Sequence, residues 1–533
     1  MNCKKHLALA AVFALSLVAS TASASKFLIS FKDQNRAQEF KSKMQNSGIL
    51  LVEDLGALKV LIIDAENQEQ IMHLVDPKDL NFLEKQAIFA APRVQLAPTA
   101  SVGLPRMTLM SGQLPVSKGL TLIKAPQVWS MSRGKGARVM VIDSGIDKNH
   151  PVFAGRIEQV RNYTDEGGEQ DVTDTEGHGT HVAGIIAAQA AVEAVGVAPE
   201  AKLLIAKVCG IKGCTNDAVA RALGWALRED VDVVNLSLGG AGSVVERFMI
   251  NQLDGHKVPV VAAMGNNGAE ATPLPAGYSS VTAVGAVDMN GKRAEFSNWS
   301  AALDIMAPGV GIRSSVPLGT GRVGMASFQT EAGSFQVLPS VTFADVPKAA
   351  LNSSAVFGEF GTIDELAKIA AAGKILVVKR GNLPLLEKIK NAQAAGATAI
   401  IICNNDSALV SGSLSEDKSE IKIPAMMVEK TAGEDLIRSL SKSPSLIVRL
   451  EVQGADYAEF SGTSMASPYV AGVVALMKSV VPGITSWKIR QILDATAVPM
   501  KTEIPNQTGK GLINAKAAVD EAYAVRKKYK KIK

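Results

Sequence analysis

Five short, continuously apolar segments constrain the fold of this chain more than any other feature of its sequence. They are ARVMVIDSGI, KLLIAKVC, VDVVNLSLGG, VPVVAAMGNNG and SSVTAVGAVD, and all lie between residues 119 and 320. Helix-like segments such as HVAGIIAAQA and NDAVARALGWALRED separate them, and Asn216 is predicted to cap the second. Apolar strands that alternate with helices are typical of a parallel sheet covered on both faces. We therefore predict an α/β domain whose functional groups lie at the carboxyl ends of the strands.

The segments on either side of this pattern indicate two further folding units. Residues 26–96 read as strand, helix, two hairpin strands, helix and a last strand LNFLEKQAIF, the split βαβ order of a ferredoxin-like α+β unit. After about residue 320 a separate mixed α/β block begins, and it ends near residue 453, where the sequence enters FSGTSMASPYVAGVVALM. We interpret this block as an insertion into an exposed loop of the α/β domain.

The N-terminus, MNCKKHLALAAVFALSLVASTASASK, is typical of a secretory signal peptide. A positively charged start precedes an apolar run, and an A-x-A cleavage site follows at residues 22–24. A membrane anchor is the alternative, but the run is short for a span and no later stretch looks transmembrane. We predict removal of residues 1–24 and export, either out of the cell or into the envelope of a bacterium.

Charge and composition argue against one class of partner. The chain has 533 residues with 56 Lys+Arg against 51 Asp+Glu, and no basic stripe interleaved with aromatic residues occurs. Nucleic acid is therefore not a predicted partner. The basic C-terminal stretch AYAVRKKYKKIK reads as a solvated helix end, with contact to an acidic envelope or substrate as the alternative.

Two cysteines lie close together in KVCGIKGCTND. In an oxidising compartment Cys209 and Cys214 are candidates for a disulfide that closes a small loop, and two free buried thiols are the alternative. Cys403 follows an apolar strand and is predicted to be buried and unpaired.

Three polar residues stand at strand or helix ends among small residues. Asp143 ends the strand VMVID, His178 precedes an apolar helix in EGHGTHVAG, and Ser464 begins another in GTSMASP. Taken singly, each has an ordinary explanation: a turn-capping aspartate, an exposed loop histidine and a helix-capping serine. Together they match the requirements of nucleophilic acyl transfer.

That chemistry assigns a role to each residue. The hydroxyl of Ser464 is a poor nucleophile near neutral pH, so His178 must take its proton and later give it to the leaving group. Asp143 would fix the imidazole tautomer and stabilise the imidazolium. The backbone N–H of Ser464, at a helix N-terminus, would face the developing oxyanion. Asn266 is the candidate side-chain donor, and Asn267 the weaker one, although an Asn-Asn-Gly turn is common in loops.

The segments VIDSGI, HGTHVAG, NLSLGG, AAMGNNG and GTSMASP resemble the signature segments of the subtilisin-like serine proteases, in that family's order of Asp, His and Ser. The resemblance implies a subtilisin-like parallel sheet, and hydrolysis of protein or peptide substrates without a cofactor. Residues 25–100 resemble the family's propeptide, an intramolecular chaperone and inhibitor whose tail EKQAIFAAP lies in the substrate cleft until it is cut. Residues 325–452 resemble a protease-associated domain, which leaves 101–324 and 453–533 as the two parts of the catalytic domain.

The same resemblance implies a substrate site. The segment SLGG would offer an edge strand to an extended substrate, through Ser237, Leu238 and Gly239. Ala262 and Ala263 would line the primary pocket beside it, whereas its floor in TPLPAGYSSV is not assigned. The usual Asn-rich calcium loop is expected to be absent, because AAQAAVEAVGVAP offers few oxygen ligands; structural calcium elsewhere stays open.

Three other interpretations compete with this one. His178 and His181 could form a metal pair, but no HExxH pattern or suitably spaced third ligand accompanies them. A non-catalytic scaffold is disfavoured because no member of the triad is missing. An esterase of the α/β-hydrolase type is disfavoured because the G-x-S-x-G motif is absent around Ser464 and the triad order differs.

Overall fold

A computed structural model describes residues 25–89, 95–96, 116–189, 194–329, 335–342, 350–405, 421–501 and 504–532. The predicted signal peptide, most of the predicted maturation segment between about 97 and 118, and Glu193 of the expected calcium-loop segment lie outside the described residues.

The strands of the described residues are short. They are β1 (Ser25–Phe31), β2 (Leu50–Asp54), β3 (Val60–Ala65), β4 (Leu80–Lys85), β5 (Ile88–Phe89), β6 (Gln95–Leu96), β7 (Arg138–Asp143), β8 (Ile157–Asn162), β9 (Lys202–Lys207), β10 (Cys209–Gly210), β11 (Gly213–Thr215), β12 (Val233–Leu236), β13 (Val260–Ala263), β14 (Val281–Val287), β15 (Ile305–Pro308), β16 (Ile312–Ser315), β17 (Gly321–Gln329), β18 (Phe335–Thr342), β19 (Leu351–Phe357), β20 (Ile375–Lys379), β21 (Ala399–Cys403), β22 (Ala425–Val428), β23 (Ile447–Ala455) and β24 (Tyr457–Ser461).

The helices alternate with these strands along the chain. They are α1 (Gln34–Met44), α2 (Gln68–Met72), α3 (Lys118–Leu122), α4 (His178–Ala187), α5 (Asn216–Arg228), α6 (Val244–Gly255), α7 (Ile363–Leu366), α8 (Leu385–Ala394), α9 (Lys430–Lys442), α10 (Thr463–Val480), α11 (Ser486–Thr496) and α12 (Ala515–Ile532). Among the described residues, no helix is both long enough and apolar enough to cross a membrane.

Residues 25–86 form one compact unit with its own core. Its antiparallel sheet has the order β2-β3-β1-β4, which is the order that the split βαβ pattern predicts. Alternate residues Phe27, Ile29 and Phe31 of β1 face this core, because successive side chains of a strand point to opposite faces. The prediction that LNFLEKQAIF is one strand is wrong: β4 ends at Lys85, and Ile88–Phe89 pairs in a different sheet.

The remaining described residues centre on a parallel sheet of seven strands in the order β15-β14-β13-β12-β7-β9-β8. All five apolar segments that the sequence predicts as strands lie in it. Helices cover both faces. Val139 and Val141 of β7 pack into a core with residues of α4 and α10, whereas the equally buried Met140 and Ile142 point to the opposite face.

Helix α5 begins one residue away from the predicted cap. Thr215, not Asn216, is the N-cap, because its hydroxyl accepts the backbone N–H of Ala218. Asn216 is the first residue of the helix itself, so the prediction that it caps the helix is wrong. Its carboxamide makes a different contact, described below.

The inserted block folds as a closed barrel of seven strands, β17-β18-β22-β21-β20-β19-β23, with two apolar clusters of its own. It runs from 321 to 455, a few residues beyond each predicted boundary. The flanking strands β16 and β24 pair antiparallel, and Gly321 is opposite Ala455, so the two ends of the insert lie side by side. An exposed loop with adjacent ends accommodates such an insertion without disturbing the sheet.

Candidate active site

Asp143 and His178 meet because two backbone segments approach very closely. Asp143 is the last residue of β7, and His178 is the first residue of α4. A Cβ atom added to Gly179 would lie 2.2 Å from the carbonyl oxygen of Gly145, so this approach requires glycine. As a result of this close approach, the distance between Nδ1 of His178 and Oδ1 of Asp143 is 2.7 Å, and both side chains are almost fully buried.

The hydrogen bond to Asp143 determines the state of the His178 ring. A carboxylate can only accept, so Nδ1 carries the proton and Nε2 of the neutral ring presents its lone pair. This Nε2 atom is buried and has no hydrogen-bond partner in the structure. Burial lowers the pKa of His178, but the charge of Asp143 and the hydrogen bond to it outweigh burial, so the pKa of His178 is raised. His178 can therefore act as a base, because the lone pair of its Nε2 atom is not used in a hydrogen bond.

A buried carboxylate holds the loop that precedes His178. Asp174 is 4% exposed, and it accepts hydrogen bonds from the hydroxyl and backbone N–H of Thr180, from Gly177 N, and from the hydroxyl of Ser144. Because Ser144 follows Asp143 directly, Asp174 ties the strand end to the helix start. The sequence analysis missed this residue, although a carboxylate four positions before the histidine in a glycine-containing loop is a visible signal.

Ser464 does not cap helix α10. The cap position is Gly462, which makes no side-chain capping bond, and the Ser464 hydroxyl instead donates to the carbonyl oxygen of Ser237 at 3.0 Å. The Ser237 hydroxyl donates in return to the Ser464 carbonyl at 2.8 Å. The structure thus fixes Ser464 against the segment SLGG, while His178 Nε2 has no hydrogen bond to the Ser464 hydroxyl in this arrangement.

Asn266 is oriented by the turn that carries Ser464. Its Oδ1 accepts hydrogen bonds from the backbone N–H and the hydroxyl of Thr463, at 2.8 and 2.9 Å. A backbone N–H can only donate, so the carboxamide oxygen is identified and Nδ2 must be the other end. A Cβ added to Gly462 would lie 3.3 Å from Asn266 Nδ2 and 3.6 Å from Ser464 N, so two nitrogen donors border one small space.

The neighbouring Asn267 belongs to a different contact. Its backbone N–H donates to Asn298 Oδ1 at 2.9 Å, and its own side chain accepts from Asn298 at 3.4 Å. The structure therefore separates the two asparagines that the sequence left as alternatives, and only Asn266 contacts the turn that carries Ser464.

A disulfide-closed hairpin forms one wall beside this site. Strands β10 and β11 pair with each other, and a disulfide joins Cys209 to Cys214. The two-residue strand β5 pairs antiparallel with β11, with Phe89 opposite Cys214. Phe89 also packs against Gly240, because a Cβ added there would lie 3.4 Å from the Phe89 side chain. Phe89, in the tail predicted to lie in the substrate cleft, thus contacts both this hairpin and Gly240 of SLGG.

A proline lies near the residues predicted to line the primary pocket. Ala262 and Ala263 end β13 and are buried, and Gly239 lies on the neighbouring strand extension. A Cβ on Gly239 would lie 3.9 Å from Pro273 Cβ, and a Cβ on Gly265 would lie 3.3 Å from Pro273 Cγ. The Pro273 ring, in the segment whose role the sequence left unassigned, therefore lies close to both Gly239 and Gly265.

The Nε2 atom of His181 does not suit a metal ligand. Its Nε2 lies 2.9 Å from the carbonyl oxygen of Ile312, its ring stacks on Phe460 at 4.2 Å, and burial lowers its pKa to about 3. A nitrogen that donates to a carbonyl holds a proton and has no lone pair for a metal. Among the residues described, no group of three or more histidine, cysteine or carboxylate side chains has an arrangement that could hold a metal ion.

Comparison with known proteins identifies similar chains. A family model described as "Subtilase family" matches residues 134–336, and a model of the PA domain matches residues 340–436. The chain is 37% identical to an intracellular serine protease of Paenibacillus polymyxa, over 43% of this chain and 71% of that protein. It is 34% identical to alkaline elastase YaB of Bacillus sp. (strain YaB), over 55% of this chain and 74% of that protein.

A solved structure is also similar to this chain. The psychrophilic subtilisin-like protease Apa1 from Pseudoalteromonas sp. AS-11 is 31% identical and superimposes with a TM-score of 0.58. The match covers 76% of this chain and 98% of Apa1.

Proposed function

Since the chain belongs to the subtilase family of serine proteases and carries an inserted protease-associated domain, we propose that it is an exported endopeptidase with Asp143, His178 and Ser464 as its catalytic triad. We propose further that it is made as a precursor that cuts its own chain. The observation that carries the proposal is the buried 2.7 Å contact between Asp143 and His178, which leaves the Nε2 atom of the ring without a partner.

The chemical step begins when Ser464 changes its hydrogen-bond partner. In the structure the hydroxyl donates to Ser237 O. An extended substrate that pairs with SLGG brings its own backbone N–H groups to this edge, and one of them can replace the hydroxyl at Ser237 O. The freed hydroxyl then turns to Nε2 of His178, which takes its proton as the oxygen attacks the scissile carbonyl carbon.

The developing negative charge falls where two donors meet. Asn266 Nδ2 and Ser464 N border the same small space, and the start of helix α10 adds its positive dipole end. The protonated His178 gives its proton to the leaving amine. A water molecule then attacks the acyl-enzyme and gives its proton to His178, which returns it to the Ser464 oxygen as the acid product leaves. Asp143 keeps the ring in one tautomer throughout and stabilises its charged form.

The tail 87–89 supports a self-inhibited precursor. It pairs with β11 and packs on Gly240, beside the segment proposed to bind substrate. A product-like strand held in that way uses the enzyme's own substrate contacts, so it excludes other chains until the link to the catalytic domain is cut. The disulfide between Cys209 and Cys214 supports export, since structural disulfides are typical of oxidising compartments.

One experiment tests the triad and the precursor together. The full chain is expressed as wild type, as Ser464→Ala and as Ser467→Ala, a serine one helical turn further along α10. We expect the wild type and Ser467→Ala to shorten themselves and to react with a fluorophosphonate, and Ser464→Ala to do neither. N-terminal sequencing of the product locates the cut. Self-shortening of purified Ser464→Ala would contradict the assignment of the nucleophile.

The barrel at 321–455 is proposed to control access of large substrates. It joins the catalytic domain through β16 and β24, and the carbonyl of Ile312 in β16 contacts His181 of the helix that starts with His178. Replacing the barrel by a short glycine linker should change the relative rates on different protein substrates more than the hydrolysis of a short peptide. Equal losses on both kinds of substrate would contradict this role.

A further inference from the structure

The contact between the tail and the hairpin continues one residue beyond the paired strands. Phe89 is opposite Cys214 and Ile88 is opposite Thr215. At the next position the backbone N–H of Asn216 donates to the carbonyl oxygen of Ala87 at 3.1 Å, and the Asn216 side-chain oxygen accepts the Ala87 N–H at 2.8 Å. One asparagine therefore binds both backbone groups of a single strand residue.

The change from strand to helix explains why a side chain is needed here. Asn216 is the first residue of α5, so its own carbonyl takes part in the helix and no longer points towards the neighbouring strand. Its N–H is one of the donors that every helix N-terminus leaves without an internal partner. The carboxamide oxygen replaces the missing carbonyl and completes a two-point contact that resembles one more step of strand pairing.

The residues around Asn216 hold this contact in place. The disulfide between Cys209 and Cys214 closes the hairpin, and Glu166 accepts the N–H of Ile211 at its tip, at 2.8 Å. A Cβ on Gly213 would lie 2.5 Å from the carbonyl oxygen of Phe89, so the strand approaches the hairpin too closely for a side chain there. Asn216 itself is only 2% exposed. The hairpin and the tail together therefore hold Asn216 in a buried position.

We propose that Asn216 is a substrate-binding residue. It binds the backbone N–H and C=O of the substrate residue that takes the position of Ala87, and it disfavours proline at that position. The inference rests on the proposed function, in which substrates and the tail share one cleft. Proline has no N–H to donate, so the hydrogen bond from this position to the Asn216 oxygen would be lost. Ala87 is exposed, so the side chain at this position points to solvent and other residues are accepted.

The first test does not depend on activity. The uncut Ser464→Ala chain is compared with Ser464→Ala/Asn216→Ala and Ser464→Ala/Asn216→Asp by amide hydrogen exchange, resolved to the N–H of Ala87. Aspartate keeps the acceptor oxygen, whereas alanine removes it. We expect exchange at Ala87 to be about fivefold faster with alanine, the effect of one neutral hydrogen bond, and near the parent value with aspartate. Equal exchange with asparagine and alanine would overturn the proposal.

The second test extends the inference to substrates. Peptides with the sequence of residues 85–96 carry alanine, serine, N-methylalanine or proline at the position of Ala87 and compete against a short chromogenic peptide. With the wild-type enzyme we expect inhibition constants about fivefold higher for the two peptides without an N–H. That ratio should fall to one in Asn216→Ala and persist in Asn216→Asp. A ratio of one in the wild type, or the same ratio in Asn216→Ala, would overturn the inference for substrates.

The two tests separate this inference from the proposed function. A wild-type chain that hydrolyses no peptide refutes the endopeptidase proposal, and the exchange experiment still decides whether Asn216 binds the backbone of Ala87. If the enzyme is active but binds peptides with and without proline at the position of Ala87 equally well, only the proposed role of Asn216 in substrate binding is refuted.

Discussion

The His178 ring and the Asp143 carboxylate lie 2.7 Å apart, and the two side chains are 1% and 0% exposed. A carboxylate this deeply buried is stabilised by a partner that can donate to it, and a buried imidazole is stabilised in its charged form by the carboxylate. The pair therefore sets both the tautomer and the basicity of His178.

The pH dependence of activity should report this pair. Burial lowers the pKa of His178, but the charge of Asp143 and the hydrogen bond to it, together with the charges of Asp174 and Glu176, raise this pKa above 6.5. The base must be neutral, so we expect kcat/KM to rise with pH and to reach half its plateau above pH 6.5. In Asp143→Asn the plateau should fall about 10⁴-fold, as in other serine proteases, and the midpoint should move down. A midpoint that stays unchanged in Asp143→Asn would contradict the assignment.

The two adjacent asparagines offer a matched pair of variants. Asn266→Ala removes the donor beside Ser464 N, so kcat should fall about 10²–10³-fold with little change in KM, the range measured for such a donor in a related protease. Asn267→Ala is the control, because within the described part of the chain the hydrogen bonds of Asn267 go to Asn298 and not to the turn that carries Ser464. Steady-state kinetics on one peptide decide between them, and equal losses in both variants would indicate a structural effect instead.

The central sheet could be predicted because its strands are continuously apolar, which is a local and strong signal. Strands β8 and β15 were missed for local reasons: IEQVRN at the sheet edge has four polar residues among its six, and IMAP is short and ends in proline. Asp143, His178, Asn266 and Ser464 could be selected because each stands among small residues at an element end. The resemblance of their segments to one protein family then predicted that they belong to one site.

Contacts between distant segments could not be predicted in the same way. Pro273 reaches Gly239 and Gly265 only after the chain folds, and nothing local to TPLPAGYSSV specifies that distance. The Asn216 cap was predicted from a residue preference that Thr215 also satisfies. Which of two adjacent residues caps a helix depends on the neighbouring strand, and here that strand engages the Asn216 side chain.

Pro273 should limit the size of the side chain that enters the primary pocket. Its Cβ atom would lie 3.9 Å from a Cβ on Gly239, and its Cγ atom would lie 3.3 Å from a Cβ on Gly265, which is two residues beyond Ala263. In Pro273→Gly we expect kcat/KM for peptides with phenylalanine before the scissile bond to rise about tenfold relative to alanine, the order that pocket contacts of this size can supply. An unchanged ratio would show that another residue forms the floor.

The disulfide should stabilise the catalytic domain as well as the hairpin. Closing a loop of this length reduces the entropy of the unfolded chain and contributes about 2 kcal/mol. The double variant Cys209→Ser/Cys214→Ser, made in the Ser464→Ala chain, should lose about that free energy of unfolding. A dithiol reductant should destabilise the parent and leave the double variant unchanged. Cys403→Ala is the control: Cys403 is 4% exposed, burial raises its pKa to about 12, and it forms no disulfide.

Asp304 should make the catalytic domain less stable as the pH rises. Burial is the main cause that raises its pKa to about 6, Asp494 adds to the shift, and the N–H of Ala283, with Arg490 and Lys510, opposes it. The usual value is 3.8, so the folded state binds this proton more tightly than the unfolded state. Stability contributed by the protonated form is present below pH 3.8 and is lost as the pH rises through 6.

Replacing the Asp304 carboxylate by an amide tests whether ionisation of Asp304 lowers the stability of the catalytic domain. In Asp304→Asn the amide oxygen can still accept the N–H of Ala283, but no charge forms. The shift of the pKa from 3.8 to about 6 corresponds to about 3 kcal/mol, so we expect a gain of about that size at pH 8 and a much smaller gain at pH 4. Urea unfolding of the Ser464→Ala chain avoids self-digestion. Tryptophan fluorescence selects the catalytic domain, because all four tryptophans (Trp129, Trp225, Trp299 and Trp487) lie in it. A gain that is the same at both pH values would mean that Asp304 is already charged at pH 4, contrary to the effect of its burial.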